Sequence, residues 1–362
     1  MSADTPAEIP RQSGFSVLKD RYFATPLDSV VTVAFGLLAL WVFWWFFEWA
    51  VLHAYFDPAD RDACVRSEGA CWAVVTARWR IVLFGLYPFD EQWRSALACL
   101  AIILTTILSC LPWFWSALRL SVLWICGFAV FYILMRGGIL GLGLGLGLAP
   151  VSEPDWGGLA LTLFIFAAVV LIGMPLSVVF AFLRRSKLPW ISRTMGLVID
   201  TVRSLPLLTI MFAFAVVIPF ATPDWMNGQQ LYRVIVGYAI FFACYQAEII
   251  RGGIQSLPAG QEEAAMALGL TYWQRIGQII LPQAFRNALP PTINQVVITF
   301  KETSLVTIIG FFDILASGRA ASGTGEWSFA TIEIYVFVAF IFVFSLSRYG
   351  AYLERRLGVG IR

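Results

Sequence analysis

Charged side chains are scarce in this sequence of 362 residues: they make up 13% of it, whereas hydrophobic side chains make up 59%. A soluble domain carries about 25% charged residues, so the chain has too little charge to cover a surface that faces water. Its apolar residues cluster in runs of about 20, the length that crosses a bilayer as a helix. The composition therefore excludes a soluble globular protein and predicts an integral membrane protein.

Signatures of catalysis and nucleotide binding are also missing. Histidine occurs once, at His53, without an H-E-x-x-H motif or a Ser-His-Asp set, so an intramembrane enzyme based on it is disfavoured. No G-x-x-x-x-G-K-[ST] phosphate loop is present, and the glycine-rich stretch 137–148 is interpreted as a bend after a span. No basic cluster could follow a phosphate backbone. We expect a protein that is not an enzyme, contains no cofactor of its own and binds no nucleic acid.

The six cysteines form no C-x-x-C pair. Cys64 and Cys71 share one polar loop, where the sequence is compatible with either a disulfide or two free thiols. The other four lie in apolar segments, are interpreted as packing residues and predict no metal site. They are Cys99, Cys110, Cys126 and Cys244.

Eight apolar segments are long enough to span a membrane. Backbone polar groups in hydrocarbon must pair within their own segment, so all eight are predicted to be helices. The predicted fold class is an all-α integral membrane protein with about eight transmembrane helices. The spans are residues 29–51, 97–117, 120–136, 158–183, 197–220, 232–250, 288–312 and 329–350.

Lysine and arginine predict the orientation of these spans. Both residue types concentrate in alternate connecting segments, which places those segments in the cytoplasm by the positive-inside rule. Both termini then lie in the cytoplasm, and residues 1–28 form a polar tail without a signal-cleavage site. The long segment 52–96 lies in the periplasm. We expect a multi-pass protein of a bacterial inner membrane.

One segment between two spans has a distinctive spacing. Residues 260–282 read GQEEAAMALGLTYWQRIGQIILP. Pro258 suits the first turn of a helix, Gly269 allows a break between two short helices, and Pro282 is expected to stop the second one. The alanines leave a face that a partner can approach closely, and Glu263 offers a charge. The segment is therefore predicted to be a rigid knob that fits a groove on another protein.

This spacing, EAA-x3-G-x9-I-x-L-P, resembles the cytoplasmic EAA loop of permeases in ATP-binding-cassette (ABC) importers, and every position of the pattern is filled. The resemblance implies that residues 251–287 form a coupling loop that docks on a separate ATPase, where ATP and magnesium bind. The alternative, an amphipathic helix with a glycine turn, leaves the full spacing unexplained. The residues implied in coupling are Glu263, Ala264, Ala265, Gly269, Leu281 and Pro282.

The flanking residues resemble the polar amino acid branch of these permeases, which serves histidine, glutamine, glutamate and arginine. The similar segments are AEIIRGGIQSLPAGQEEAAMALGL (247–270), VRSLPLL (202–208) and INQVVITFKETSL (293–305). Three residues depart from the usual pattern: Ser204 and Leu205 replace Gly and Thr, and Glu302 replaces Asn or Asp. A backbone role of the replaced glycine is therefore in doubt.

The resemblance covers roughly residues 158–356 and implies a five-helix permease core there. Residues 29–157 would add three accessory transmembrane helices, a layout similar to the M-type subunit of general L-amino-acid transporters. The implied function is the permease subunit of an ATP-driven importer of polar or general L-amino acids. Its implied partners are an ABC ATPase dimer, a second permease subunit in a heterodimer and a periplasmic amino-acid-binding protein, within the lipid bilayer.

Ionisable residues inside a span cost about 2.5–3.5 kcal/mol each on insertion scales, so each calls for a reason. Lys301 and Glu302 fall near the middle of the seventh predicted span, where a broken helix would expose backbone groups and hydroxyls to a cavity. Lys301 could instead pair with an acid of a neighbouring helix. The candidate pathway residues are Arg203, Gln246, Lys301, Glu302, Thr303 and Ser304.

Two further pairs of charged residues lie one helical turn apart. Asp200 and Arg203 are predicted either to pair with each other or to line the pathway. Glu248 and Arg251 are predicted to brace the coupling loop. Glu333, in the last predicted span, has no obvious partner in the sequence.

Two other functions stay open on the sequence alone. A secondary transporter driven by an ion gradient would need paired intramembrane acids and an inverted repeat, neither of which is clear, and it leaves the EAA spacing unexplained. A purely structural membrane scaffold would tolerate Glu263→Lys or Gly269→Asp without loss of uptake, whereas a coupled importer would not.

Overall fold

The computed structural model describes residues 22–57, 68–138, 148–223, 225, 227–322 and 340–356. Regular secondary structure within these ranges is helical, and β pairing there is limited to two isolated bridges. The predicted all-α class is therefore confirmed. The chain forms two compact units, Met1–Ala73 and Val74–Arg362.

The first unit contains helix α1 (Pro26–Phe47), which continues as a π-helical turn (Glu48–Leu52). None of the residues of α1 is buried, so its apolar side chains are free to contact lipid, as the first predicted span requires. Cys71 is disulfide-bonded, which excludes the free-thiol alternative for this residue. Cys64 lies outside the described residues.

The second unit begins with four helices. They are α2 (Ala73–Phe84), α3 (Gln92–Ser109), α4 (Ala117–Arg136) and α5 (Gly158–Arg184). Helix α2 lies within the segment 52–96, which the sequence had suggested to be a loop. Helix α4 ends at Gly137, whose φ of 84° suits glycine, and residues 139–147 of the glycine-rich stretch are outside the described residues.

The helix predicted for the fifth span, residues 197–220, is interrupted at Leu205 and Pro206. Helix α6 (Pro189–Ser204) is followed by α7 (Leu207–Phe212), a π-helical turn and α8 (Ile218–Ala221), and the two parts are bent by 104°. Pro206 removes a backbone donor, and it holds Leu205 in an extended conformation with ψ of 144°. The bend therefore follows from the sequence Leu-Pro at this point.

The remaining helices include the EAA segment, which we define as residues 259–282. They are α9 (Gln230–Gln255), α10 (Ala259–Ala267), α11 (Tyr272–Gln274), α12 (Leu281–Glu302), α13 (Ile314–Ser322) and α14 (Ser345–Arg356). A π-helical segment (Arg275–Ile280) joins α11 to α12 without a break. Most of the predicted span 329–350, including Glu333, lies outside the described residues.

The number of membrane crossings is only partly settled. Five described helices are long and apolar enough to span a membrane, or six if the bent pair of α6 with α7–α8 counts as one span. The five are α1, α3, α4, α5 and α9, whereas α12 carries more polar residues. The total of eight spans therefore stays a prediction.

The core of the second unit is built around α9, which packs between α5 and α12. Small residues allow these helices to approach closely: a Cβ on Gly173 would lie 2.5 Å from the Phe242 ring, and one on Gly253 would lie 2.5 Å from the Ala284 carbonyl oxygen. A buried cluster joins the second half of α9 to the EAA segment. It contains Ala181, Ile199, Cys244, Ala247, Ile250, Ile254, Ile276, Ile280 and Ala284.

Candidate functional site

The EAA segment starts with α10, whose end is fixed by Gly269. Its φ of +73° lies in the left-handed region, where glycine carries no steric penalty. The Gly269 N–H donates to the Met266 carbonyl (2.9 Å), and the Leu270 N–H donates to the Ala265 carbonyl (3.2 Å). These two bonds satisfy carbonyls that the helix end would leave unpaired. The predicted break at Gly269 between two helices is therefore confirmed.

A second cap starts the next helix two residues later. The Thr271 hydroxyl accepts from the Gln274 N–H (3.4 Å), and the Gln274 side chain accepts from the Thr271 N–H (2.9 Å). The helix then runs through the π-helical segment into α12, with Pro282 in its first turn. The expectation that Pro282 stops a helix is thus wrong, because the helix continues past it directly from the π-helical segment that ends at Ile280.

One face of α10 packs against the unit and the other faces outward. Ala265 is buried, whereas Glu263 and Ala264 are exposed. Several large apolar side chains are exposed beside them, which is unusual for a surface without a partner. They are Met266, Leu268, Tyr272 and Trp273, of which Trp273 is 76% exposed.

Polar contacts hold α10 against its neighbours. Glu262, rather than Glu263, forms an ion pair with Arg185 at the end of α5 (3.8 Å). The Gln283 amide donates to the Gln261 side chain (3.3 Å). Glu263 is therefore left free for a contact outside the chain: no ion pair involves it among the described residues.

Glu248 on α9 is the centre of an ion cluster behind the EAA segment. Its carboxylate lies 2.7 Å from Arg251, 3.2 Å from Arg184 and 3.8 Å from Arg203. The side chain of Glu248 is only 12% exposed. The predicted Glu248–Arg251 pair is therefore present, but it belongs to a larger cluster that joins α5, α6 and α9.

Asp200 does not pair with Arg203, so the first of the two alternatives for these residues is wrong. Asp200 accepts two hydrogen bonds from Arg184, at 2.8 and 3.0 Å. Arg184 is thus shared between two acids on two helices, a role that its position in a run of basic residues did not reveal. The partner choice depends on how α5 packs against α6, which the spacing within one helix cannot show.

Two candidate pathway residues, Arg203 and Gln246, lie on α6 and α9. The Arg203 guanidinium lies over the Tyr245 ring (5.1 Å), and the Tyr245 hydroxyl donates to the Arg203 carbonyl (3.1 Å). Gln246 is fully buried, and its amide nitrogen donates to the Thr292 hydroxyl of α12 (2.7 Å). Tyr245 and Thr292 were not among the predicted pathway residues.

The other four candidate residues lie where α12 ends. Lys301 is exposed and has no ion pair among the described residues, so the alternative of pairing with an acid has no support there. Glu302 lies beside the Tyr238 hydroxyl. A 3-10 helix (Thr303–Ile309) follows, so the α-helix within the predicted span 288–312 ends at Glu302. The hydroxyls of Thr303 and Ser304 donate back to carbonyls of α12 (2.7 and 2.8 Å).

The structure does not bring all six candidates into one site. Gln246 contacts Thr292, and α12 ends ten residues later at Glu302, so the end of α12 lies nearly three turns, or about 15 Å, beyond this contact. Three candidates nevertheless share one property: a buried side-chain polar atom without a hydrogen-bond partner in the described structure. These atoms are Arg203 Nε, Gln246 Oε1 and Glu302 Oε2.

A second polar cluster lies at the opposite end of the second unit. Glu153 accepts a hydrogen bond from the Tyr232 hydroxyl (2.7 Å) and pairs with Arg136. Burial alone would raise the pKa of Glu153, but the hydrogen bonds from Tyr232 and Gln229 and the charge of Arg136 together lower it. This cluster joins α4 to α9.

A metal centre has no support in the part of the chain that the structure describes, where no three His, Cys, Asp or Glu residues form a possible ligand set.

Comparison with known proteins identifies related membrane proteins. A family model described as binding-protein-dependent transport system inner membrane component matches residues 173–359. The chain is 35% identical over 350 residues to the inner membrane amino-acid ABC transporter permease protein YhdY of Escherichia coli (strain K12), over 95% of this chain and 93% of the relative. It is 31% identical over 425 residues to the glutamate/glutamine/aspartate/asparagine transport system permease protein BztC of Rhodobacter capsulatus, over 99% and 96% of the two chains.

A solved structure resembles part of the chain. It is a crystal structure of an amino acid ABC transporter with histidines, with a TM-score of 0.50 and 29% sequence identity. The match covers 55% of this chain and 92% of that chain. The solved structure therefore corresponds to about half of this chain, whereas the two sequence relatives correspond to nearly all of it.

Proposed function

Because the chain belongs to the family of binding-protein-dependent transport system inner membrane components, we propose that it is the permease subunit of an ATP-driven importer of polar L-amino acids. Two relatives that match nearly the full chain are named as amino-acid permeases, and one name specifies glutamate, glutamine, aspartate and asparagine. These names support the substrate class. The chain itself is a transporter subunit, and ATP hydrolysis belongs to a separate chain.

The proposed assembly contains two copies of an ABC ATPase, a second permease subunit and a periplasmic amino-acid-binding protein. Both termini and the EAA segment lie in the cytoplasm, and the Glu153 cluster lies at the periplasmic end. ATP and magnesium bind to the ATPase. The exposed apolar side chains of Met266 and Leu268 in the EAA segment support this arrangement, because such a patch normally marks a protein–protein contact.

One structural observation carries the mechanism: the helix from Tyr272 to Glu302 is continuous. A helix of this length spans on the order of 40 Å, so it connects the ATPase contact at one end to Lys301 and Glu302 at the other. When ATP closes the ATPase dimer, the EAA segment moves and α12 moves with it. The side chains at its far end then change their exposure to the pathway.

The candidate pathway residues provide polar contacts for a zwitterionic substrate. Lys301 offers a cation to the α-carboxylate, and the unpaired Glu302 oxygen accepts from the ammonium group. Gln246 and Arg203 extend the polar lining toward the cytoplasmic end. A buried polar atom without a partner is costly, about 1–3 kcal/mol, and water or a passing substrate removes that cost.

The coupling role is tested with two matched glycine variants. A Cβ at either Gly269 or Gly196 would meet no atom within 4 Å, but only Gly269 has a positive φ. Gly269→Ala should strain the turn by about 1–2 kcal/mol and lower ATP-dependent uptake of a radiolabelled amino acid several-fold. Gly196→Ala should leave uptake unchanged. Equal uptake in both variants would contradict the coupling role.

The assembly is tested by gentle purification of the tagged chain from its native membrane. Mass spectrometry should identify an ABC ATPase and a second permease, and uptake into vesicles should require ATP rather than an ion gradient. Competition with a panel of amino acids should then show preference for polar substrates. Gradient-driven uptake without an ATPase would overturn the proposal.

A further inference from the structure

A groove of about 940 Å³ opens between the end of α5 and the EAA segment. Its wall on α5 is apolar, with Val178, Val179 and Phe182. Its mouth is basic, with Arg185 and Lys187 in the turn that follows α5. The groove therefore lies where a membrane span ends and the charged connecting segment begins.

The charges at the mouth are not balanced within the groove. Three cations line it, Arg185, Lys187 and Arg275, against one acid, Glu262. Glu262 is 3.8 Å from Arg185, so it offsets that arginine alone. Lys187 is exposed and has no ion pair in the part of the chain that the structure describes. A groove with a net positive mouth and an apolar wall therefore favours a ligand that has both an anionic group and an apolar part.

The surroundings of Arg275 indicate that its guanidinium lacks a hydrogen-bond acceptor. Its guanidinium lies near the Tyr272 ring (5.9 Å), and its Nε is buried without a hydrogen-bond partner among the described residues. Tyr272 and Trp273, which complete the mouth, are aromatic residues of the kind enriched where a membrane meets water.

We propose that this groove binds one anionic phospholipid of the leaflet that faces the EAA segment. The phosphate contacts Lys187 and Arg275, and one acyl chain lies along the apolar wall of α5. Basic pockets beside membrane spans bind anionic headgroups in this way. A bound lipid would fill the space between α5 and the start of α11, and it would thereby couple the position of the EAA segment to membrane composition. The inference does not depend on the identity of the transported substrate.

The proposal is tested by native mass spectrometry of the purified full chain, titrated with dioleoylphosphatidylglycerol or with dioleoylphosphatidylcholine. The anionic lipid should be retained with a stoichiometry of one, and the zwitterionic lipid should not. Lys187→Gln and Arg275→Gln should each weaken retention by about fivefold, the loss expected from removing one cation near an anionic lipid. Equal retention of the two lipids would overturn the proposal.

Arg193→Gln is the matched control, because Arg193 is an exposed cation of α6 that does not line the groove. It should retain the lipid like the unmodified chain, and a fivefold loss here would show general surface attraction instead. Glycerol phosphate without acyl chains should not displace the lipid. The titration is repeated on the complex with its ATPase: loss of the lipid there would mean that the ATPase covers the groove, which also overturns the proposal.

Discussion

At the scale of single residues, Glu248 has an environment that its sequence position does not suggest. One carboxylate faces three guanidinium groups from three helices. Hydrogen bonds to charged groups contribute about 1.5–3 kcal/mol each when they are shielded from water, and a buried charge that loses its partner is costly. The cluster therefore fixes α5 and α6 against α9 next to the EAA segment.

Glu248→Gln should lower the free energy of unfolding by about 1–3 kcal/mol, because Arg203 and Arg251 would then lose the one ion pair that each forms among the described residues. The quantity is measured by denaturation in mixed detergent micelles. Asp200→Asn should cost less, since the Asp200 side chain is 57% exposed and solvent screens its pair. Glu263→Gln, at an exposed position, is the control. The interpretation fails if Asp200→Asn proves more costly than Glu248→Gln.

Glu153 predicts an acid-dependent loss of stability. Its pKa in the folded chain is below the ordinary value of 4.5, so its contribution is complete above about pH 4.5 and is lost as the pH falls through the lowered pKa. Tyr232→Phe removes one hydrogen bond and should cost about 1 kcal/mol at pH 7.

The acid sensitivity of Tyr232→Phe should also be smaller, because the pKa of Glu153 moves back toward its ordinary value. Both quantities are read from unfolding curves of the purified chain at pH 7 and pH 4. Tyr22→Phe, which replaces an exposed tyrosine, should behave like the unmodified chain. An unchanged pH dependence in Tyr232→Phe contradicts the assignment.

At the scale of helices, the contact between α9 and α12 depends on how closely two backbones approach. Gly253 lies against the Ala284 carbonyl and the Ala288 methyl group. Its neighbour Gly252 is exposed, and a Cβ added there would meet no atom within 4 Å. The same helix thus carries one glycine that the packing requires and one that it does not.

Gly253→Ala should lower the free energy of unfolding by about 1–3 kcal/mol, because overpacking forces α9 and α12 apart. Gly252→Ala should be neutral or slightly stabilising, since alanine favours a helix. Unfolding in mixed micelles separates the two variants. Equal stability of both would show that the close approach is not required.

At the scale of the whole molecule, the proposed orientation makes the two ends of the second unit chemically distinct. The EAA segment and the arginine-rich cluster of Glu248 lie at one end, and the Glu153 cluster lies at the other. Retention of basic residues on the cytoplasmic side is the general pattern for membrane proteins. In the proposed assembly the ATPase contacts the EAA segment, so this segment must lie on the cytoplasmic side.

A fluorescent protein fused after Arg362 should therefore be fluorescent, and alkaline phosphatase fused there should be inactive. An epitope inserted at the exposed Gly228, between α8 and α9, should be reached by antibody only after the outer membrane of intact cells is opened. The fusion results follow from a cytoplasmic C-terminus, and the epitope result follows from a periplasmic position of Gly228. The reverse pattern would place the EAA segment in the periplasm, where no ATP is available, and would reject the proposed function.

The sequence by itself determined the class of the protein, the apolar spans and the EAA segment. Composition and run length depend only on which residues are present, and the turn at Gly269 depends on local backbone preferences, so neither needs distant contacts. The extended conformation that Pro206 imposes on Leu205 could also have been predicted from the sequence, but the predicted span 197–220 ignored it. The role of Pro282 was misjudged because the helix continues past this proline from a π-helical segment, which the sequence did not reveal.

Only the tertiary structure decided which charged side chains meet. Asp200 pairs with Arg184 rather than Arg203, and Glu248 gathers arginines from α5, α6 and α9. The groove beside the EAA segment likewise needs residues almost a hundred positions apart to lie side by side. Spacing along one helix specifies which residues share a face, but the partner of that face is set by how helices pack, and no local pattern contains that information.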